Sequence, residues 1–296
     1  MPNRSRSFGY ALVAVAATGW GTWPLVLRHA PMHSSLQSAI AMTVMTVASA
    51  PLVLRDRLPV KATLRDWLGV AWLGVSDAAN IALFFAAYQR TSVAIAVLTH
   101  YLTPIFVALS APLLLAERLG RRTAAAVAVS FVGLVLLLAP WRDGFGARDL
   151  AGAALGAGSA VFYASNVLTN KRLNTVFSAS EMMFYHGLIG VPLLWSFVPA
   201  GAVGAAPATS IGVALAASLG IGTFCGLAFT RALKRIRASH ASVLTLLEPF
   251  VAVVCSVVVL GEPLHRGSVA GGLLILGGAL AVVTAKHEDG VQSSPS

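Results

Sequence analysis

The residues of this chain best suited to chemistry are polar side chains set in otherwise apolar runs. Asp77, Asn80, Phe84 and Tyr88 come at i, i+3, i+7 and i+11, the spacing of one helical face. An acid, an amide and a phenol on one stripe are not needed for apolar packing. The stripe therefore reads as a cavity lining, with Asp77 a candidate proton-coupling carboxylate. As a helix–helix seam it would instead put Asp77 near a helix end. His100, with Tyr101 beside it, lies one turn before Pro104. Thr245 stands in the same relation to Pro249, with Glu248 directly before that proline. Proline removes a backbone donor and frees the carbonyl four residues earlier. Such freed groups are tolerated in a membrane where they face protein or a wet cavity. These prolines mark kinks for shape or gating, and His100 and Glu248 are candidates to touch a substrate.

Further candidates come in pairs and stripes. Trp20 and Trp23 are either interfacial anchors or an aromatic wall for a planar or cationic ligand. Ser159, Tyr163, Asn166 and Asn170 form a second one-sided stripe. There Tyr163 and Asn166 are the cavity candidates, while Ser159, with Gly152, Gly156 and Gly158, suits close helix contact. His186 is equally placed for a seam or a cavity, and Glu181 suits a helix N-terminus. His100 and His186 have no metal-ligand spacing, so no metal is expected. A Gly-rich phosphate loop and a Gly-x-Ser-x-Gly elbow are also missing from the sequence. Neither a cofactor nor an enzyme activity is expected. Cys225 and Cys255 sit in apolar runs and read as small core residues.

The elements that must hold these residues can be read from composition. Of 296 residues, 57% are hydrophobic and 11% charged, with a mean hydropathy of +0.78. That is well below the roughly 25% charge of soluble domains, and disorder is excluded by the same hydrophobicity. Ten stretches approach the roughly 20 apolar residues that a bilayer requires. They cover residues 8–27, 33–54, 67–89, 92–115, 123–139, 150–170, 181–198, 209–233, 238–260 and 267–285. The first is too long for a signal-peptide core and is read as a helix. The fifth and tenth carry few polar groups, Ser130 in the fifth, and the glycines of the tenth (Gly271, Gly272, Gly277, Gly278) suit helix self-packing or a dimer face.

The net charge of +10 is explained by side. With the N-terminus inside, 16 of the 21 Lys and Arg residues fall on the cytoplasmic side. Both termini are therefore expected in the cytoplasm. A nucleic-acid surface is excluded, because no basic cluster lies on a soluble module.

The two halves also match each other. With a shift of 145, residues 82–139 lie on 227–284 without a gap, with 12 identities in 58 positions. The matches include Phe84 with Phe229, Pro104 with Pro249, Glu117 with Glu262 and Gly133 with Gly278. Five helices per half is an odd number, so the second half enters the membrane from the opposite side. The expected architecture is an all-α membrane protein of ten transmembrane helices in two inverted repeats. The repeats are residues 1–145 and 146–296, joined in one integral membrane domain. Inverted repeats are a mark of secondary transporters, with the substrate site between them.

Proline-bearing fourth and ninth helices that end at Glu117 and at Gly261-Glu262-Pro263-Leu264 resemble the EamA-type drug/metabolite transporter superfamily. The resemblance covers nearly the whole chain and is most typical from Leu247-Glu248-Pro249 to Leu264. His100-Tyr101-Leu102-Thr103-Pro104 departs from the usual small-polar pattern. With Thr169-Asn170-Lys171, it is most similar to the aromatic amino-acid exporters of that superfamily. The resemblance implies alternating-access export of an aromatic or other apolar amino acid, or a related metabolite, across the inner membrane. It favours a structural or gating role for Glu248. The expected partners are the small-molecule substrate and the lipid bilayer, with the chain a monomer or homodimer. A multidrug or quaternary-amine exporter, a passive pore and, more distantly, an intramembrane enzyme are the other readings.

Overall fold

The computed structural model describes residues 2–142, 146–261 and 266–284. Glu262, Pro263 and Leu264 of the family-typical stretch lie outside the described residues. The first half contains α1 (Pro2–Gly21), α2 (Trp23–His29), α3 (Ser34–Asp56), α4 (Leu64–Tyr88), α5 (Val93–His100), α6 (Thr103–Leu114) and α7 (Arg121–Leu138). The second contains α8 (Ala147–Leu173), α9 (Ala179–Ser196), the single turn α10 (Ala202–Ala205) and α11 (Ala208–Ala217). After these come α12 (Phe224–Leu233), α13 (Ala238–Leu244), α14 (Leu247–Leu260) and α15 (Arg266–Val283). No strand occurs among the described residues. Among the described residues, eight segments are long and apolar enough to cross a membrane: Ser34–Asp56, Leu64–Ala87, Val93–Leu114, Arg121–Leu138, Arg148–Leu173, Ala208–Leu233, Ala238–Val259 and Arg266–Val283. Of the ten stretches expected from sequence, α1 and α9 fall outside that set. The first turns of α1 hold Asn3, Arg4 and Arg6, and α9 carries Glu181 and His186.

Local sequence explains where the helices start. Thr63 and Asp66 form a capping box at α4, with the Thr63 N–H donating to the carboxylate at 2.9 Å. Ser178 and Glu181 build the same box at α9, and Glu181 also accepts from the Leu58 N–H at 3.3 Å. At α8, Asp149 accepts from the Gly146 N–H at 2.7 Å and the Thr91 hydroxyl at 2.6 Å.

Four of the expected stretches are interrupted. Residues 8–27 divide at Thr22, just before Pro24, so α1 and α2 are separate helices rather than one. The Thr22 hydroxyl donates to the Gly19 carbonyl at 2.6 Å. Stretch 209–233 contains a π-helical turn at Ser218–Thr223. The proline-bearing stretches divide at matching places, α5 from α6 at Tyr101–Leu102 and α13 from α14 at Thr245–Leu246. In each, the carbonyl that Pro deprives of a partner finds another. The Thr103 hydroxyl donates to the His100 carbonyl at 2.8 Å, and the Glu248 N–H donates to that of Thr245 at 2.9 Å.

Helix packing has a matched pattern. α4 lies on α8 and α1 on α12; α5 and α6 lie on α8, while α13 and α14 lie on α1; α3 meets α9 and α7 meets α15. The α7–α15 contact consumes glycines offered by the sequence for a dimer face. A Cβ on Gly271 would collide with the Gly133 carbonyl oxygen, and one on Gly278 with the Ser130 hydroxyl. Backbones approach this closely only where there is no side chain. Gly152 and Gly156 do the same against Thr91 and Thr99.

A polar latch joins the halves at the Glu117 end of the bundle. Both Glu117 oxygens accept from the Ala238 N–H, at 3.1 and 3.0 Å. Lys171 donates to the Leu233 and Ile236 carbonyls at 2.6 and 2.7 Å and lies 3.9 Å from Glu117. Burial pushes the Glu117 carboxyl up, against the Ala238 bond and the Lys171 charge.

Two measurements check this packing. Gly271→Leu is expected to lower thermal stability in detergent by about 1–3 kcal/mol through overpacking. Gly277→Ala, with nothing within 4 Å of its new methyl, is expected to be neutral or stabilising by up to about 1 kcal/mol. Glu117→Gln keeps an oxygen for the Ala238 N–H and removes the buried charge. A raised carboxyl contributes stability at low pH that is lost as pH rises through its folded value. The melting-temperature difference, Glu117→Gln minus wild type, should therefore be more positive at pH 8 than at pH 5; an equal or reversed difference contradicts the burial argument.

Candidate functional site

A cavity of about 360 Å³ lies between the two halves. Its walls are the end of α1 and the start of α2 (Trp20, Trp23), the first half of α3 (Gln37 to Thr46) and the middle of α4 (Leu73 to Phe85). His100 of α5, the Tyr163–Asn170 face of α8 and Met183 and His186 of α9 continue it. Gly226, Phe229 and Thr230 of α12 and Glu248 of α14 close it. The helix breaks put three of these groups in place. Trp23 comes just after the α1–α2 break, His100 ends α5, and Glu248 sits in the first turn of α14.

Of the residues singled out by sequence, Trp20, Trp23, Asp77, Asn80, Phe84, His100, Tyr163, Asn166, His186 and Glu248 line this one cavity. Tyr101, Thr245, Pro104 and Pro249 do not. Tyr101 is buried against His100, with ring centroids 5.3 Å apart and edges crossed at 84°, and hydrogen-bonds the Glu248 carboxylate. The Thr245 hydroxyl turns back to the Ser242 carbonyl at 2.7 Å. Pro104 and Pro249 are both buried at the helix breaks. Tyr88 ends α4, and its side chain lies outside the described residues.

One wall is aromatic. The His100 ring stacks on Tyr163 at 5.3 Å and 8°, with Phe84 at 4.2 Å on it as well. The Ser159 hydroxyl donates to the Gly156 carbonyl at 2.9 Å, so its contact with His100 Nδ1 at 2.7 Å is one that the ring donates. Trp20 stands against Phe229 at 5.5 Å, which places Trp20 in the wall rather than at an interface.

The other wall is polar. Asn166 Nδ2 donates to Asp77 Oδ1 at 3.0 Å, and the Ser76 hydroxyl donates to Asn166 Oδ1. His186 Nε2 lies 3.6 Å from Asp77 Oδ2, while its Nδ1 donates to the Met182 carbonyl at 2.6 Å. Asp77 therefore belongs to an interior network, not to a helix end. Glu248 adds a second acid, and among the described residues no Lys or Arg lines the cavity.

Sequence reading misses Gln37, Ser38, Thr46 and Thr230. Gln37 Nε2, Asn80 Oδ1 and Asn170 Oδ1 are buried with no protein partner, which leaves polar atoms for a bound molecule or water. Ser38 and Thr46, eight residues apart, fall on one side of α3, a spacing that could have found those two; Gln37 lies off that stripe. His240 is missed as well, and it lies elsewhere: it ties Tyr10 of α1 (2.7 Å) to Thr123 of α7 (3.2 Å).

A model of the EamA-like transporter family matches residues 7–139 and again residues 150–284. An uncharacterized transporter of Archaeoglobus fulgidus is 28% identical over 278 residues, 94% of this chain and 97% of that protein. A second one from the same organism is 26% identical over 284 residues, 93% and 98%. A riboflavin transporter of Vibrio cholerae is 33% identical over only 90 residues, 30% of this chain and 29% of its own. A solved crystal structure of a protein superposes with a TM-score of 0.80 at 19% identity, covering 94% of this chain and 99% of that one. At that identity the likeness is one of fold.

A thiol-labelling experiment tests whether the cavity is wet and the outer face lipid-covered. With Cys225 and Cys255 replaced by Ser, Ala41→Cys in the cavity wall should react with a water-soluble thiol reagent in membranes. Val47→Cys, on the outward face of the same helix at 65% exposure, should not, because a thiol in lipid stays protonated. Equal labelling of both would contradict this arrangement.

Proposed function

The chain belongs to the EamA-like transporter family, and we propose that it is a secondary transporter exporting an amino acid with an aromatic or other apolar side chain across the inner membrane. Transport proceeds by alternating access of two five-helix inverted repeats around the central cavity, with both termini cytoplasmic. The observation that carries this reading is the cavity itself, which gathers an aromatic cluster and two carboxylates around one space. A planar or branched apolar side chain packs against the aromatic cluster of His100 and Phe84 and against Trp20. The substrate ammonium meets Asp77 and Glu248. Its carboxylate meets neutral donors, of which the unpartnered Gln37 amide is the best placed. The double family match, the shift of 145 and the matched breaks at Pro104 and Pro249 support the repeat. Five helices in each half, with α1 and α9 among them, is the count this topology uses. The role of Glu248 then combines gating with substrate contact, since it opens α14 at the break and also lines the cavity.

One observation favours a second substrate class. Without Lys or Arg among the described lining residues, a substrate carboxylate finds no full positive partner. A lipophilic amine, including drug-like and quaternary amines, needs none.

Counterflow into proteoliposomes decides between them. Vesicles preloaded with unlabelled phenylalanine should accumulate the labelled form, and Phe84→Ala or His100→Ala should each weaken apparent affinity about two- to tenfold, the worth of one aromatic contact of about 0.5–1.5 kcal/mol. Counterflow of phenethylamine but not phenylalanine would establish the amine reading in its place. A passive pore gives no counterflow of either.

A further inference from the structure

We propose that Asp77 and His186 form one proton site, which a substrate ammonium empties when it binds. The argument starts from donor and acceptor inventory. His186 Nδ1 lies 2.6 Å from the Met182 carbonyl oxygen, which can only accept, so Nδ1 carries a hydrogen. In the neutral ring that leaves a bare lone pair on Nε2. Yet Nε2 faces Asp77 Oδ2 at 3.6 Å, and a carboxylate oxygen is again an acceptor. Two lone pairs facing each other in a half-buried wall repel. A single added proton turns the contact into an imidazolium–carboxylate pair. The remaining Asp77 oxygen is already occupied by the Asn166 amide at 3.0 Å, itself oriented by Ser76. The carboxylate is thus held with one face committed to protein and the other turned to His186 and the cavity.

The neighbours leave this proton without a competitor until substrate arrives. From α8 come Asn166 and Tyr163, from α5 His100, from α14 Glu248, from α3 Gln37 and Thr46, and from α12 Thr230. None of these is a fixed cation. A substrate ammonium brings three N–H donors and a positive charge to Asp77. The imidazolium then has both lost its role and gained a like charge beside it. The Nε2–H bond breaks, its electron pair stays on nitrogen, and the proton leaves through cavity water. One ammonium in and one proton out is the charge balance of an exchanger. Apparent amine affinity consequently rises with pH, because proton and ammonium compete for the same carboxylate.

The exchange step rests on the proposed ammonium substrate, whereas the proton site itself does not. Nitrogen-15 spectra of histidine-labelled protein at pH 7.5, with His186 assigned by its loss in His186→Gln, test the site directly. Both ring nitrogens of His186 are expected to carry hydrogen. Asp77→Asn is expected to strip Nε2 and leave Nδ1 protonated. The His240 signal, set by Tyr10 and Thr123 far from the pair, should be unchanged in each variant and reports that the fold is intact. A bare Nε2 in the wild type overturns the proton site, whatever is transported. The exchange step is read by adding phenethylamine to weakly buffered protein with a pH-sensitive dye. About one proton should be released per amine bound, and none by Asp77→Asn. Binding without release overturns the exchange. A protonated His186 with binding of neither phenethylamine nor phenylalanine upholds the proton site and rejects the ammonium substrate.

Discussion

A polar group inside a bilayer has no water to fall back on, and most of this fold answers to that requirement. Its densest expression is the chain Ser76–Asn166–Asp77–His186–Met182, which runs from α4 to α8, back to α4 and on to α9. Every link but one supplies a donor or acceptor that its neighbour lacks, and the exception, Asp77–His186 at 3.6 Å, is completed by an added proton. The chain also fixes which faces of the three helices meet, because a rotation of any of them by one residue would leave a carboxylate or an amide in hydrocarbon. The apolar packing around it is permissive by comparison, since Leu, Val and Ala side chains tolerate many helix orientations.

The same requirement shapes the helix breaks. A proline in a span frees a carbonyl, and each freed carbonyl at α5–α6 and α13–α14 is met locally, by the Thr103 hydroxyl in one half and the Glu248 N–H in the other. Once the break is stable it has a use, because it ends one helix in mid-bundle and turns the residues beside it toward the interior. His100 at the end of α5 and Glu248 at the start of α14 reach the cavity in this way. The Glu117 latch obeys the same logic at one end of the bundle, where a carboxylate from one half caps the first N–H of α13 in the other. A conformational change that separates the halves at that end has to supply Glu117 and Ala238 with new partners.

Close backbone contact is the second theme. Gly133, Gly271 and Gly278 let α7 and α15 touch through main chain, and Gly152 and Gly156 seat α8 on the Thr91–Thr99 segment. These contacts lie to the side of the cavity and leave its wall helices, α3, α4, α8, α9 and α12, to carry the polar groups. Close contacts also join the wall helices themselves: a Cβ on Gly226 would meet Met183, one on Gly187 the Thr46 hydroxyl and one on Gly74 the His186 carbonyl oxygen.

Much of this was legible in the residues alone, and the limit has a physical origin. Composition and run length marked out apolar helices, and a period of 3.6 put Asp77, Asn80 and Phe84 on one face and Tyr163 and Asn166 on another; all five line the cavity. Proline chemistry located the breaks at Pro104 and Pro249 to within a turn. Periodicity, however, tells which residues share a face and is silent on what that face meets. Whether His186 lay in a seam or a cavity, whether Trp20 anchored a helix or walled a site, and whether the α15 glycines met a second copy or α7 were choices that only packing could make. Gln37 and Thr230 were missed for the same reason, since an isolated amide or hydroxyl on an apolar helix becomes a site only when other helices converge on it. The sequence determined which groups had to be buried; the tertiary structure decided which would find partners in one another and which would be left facing an open cavity.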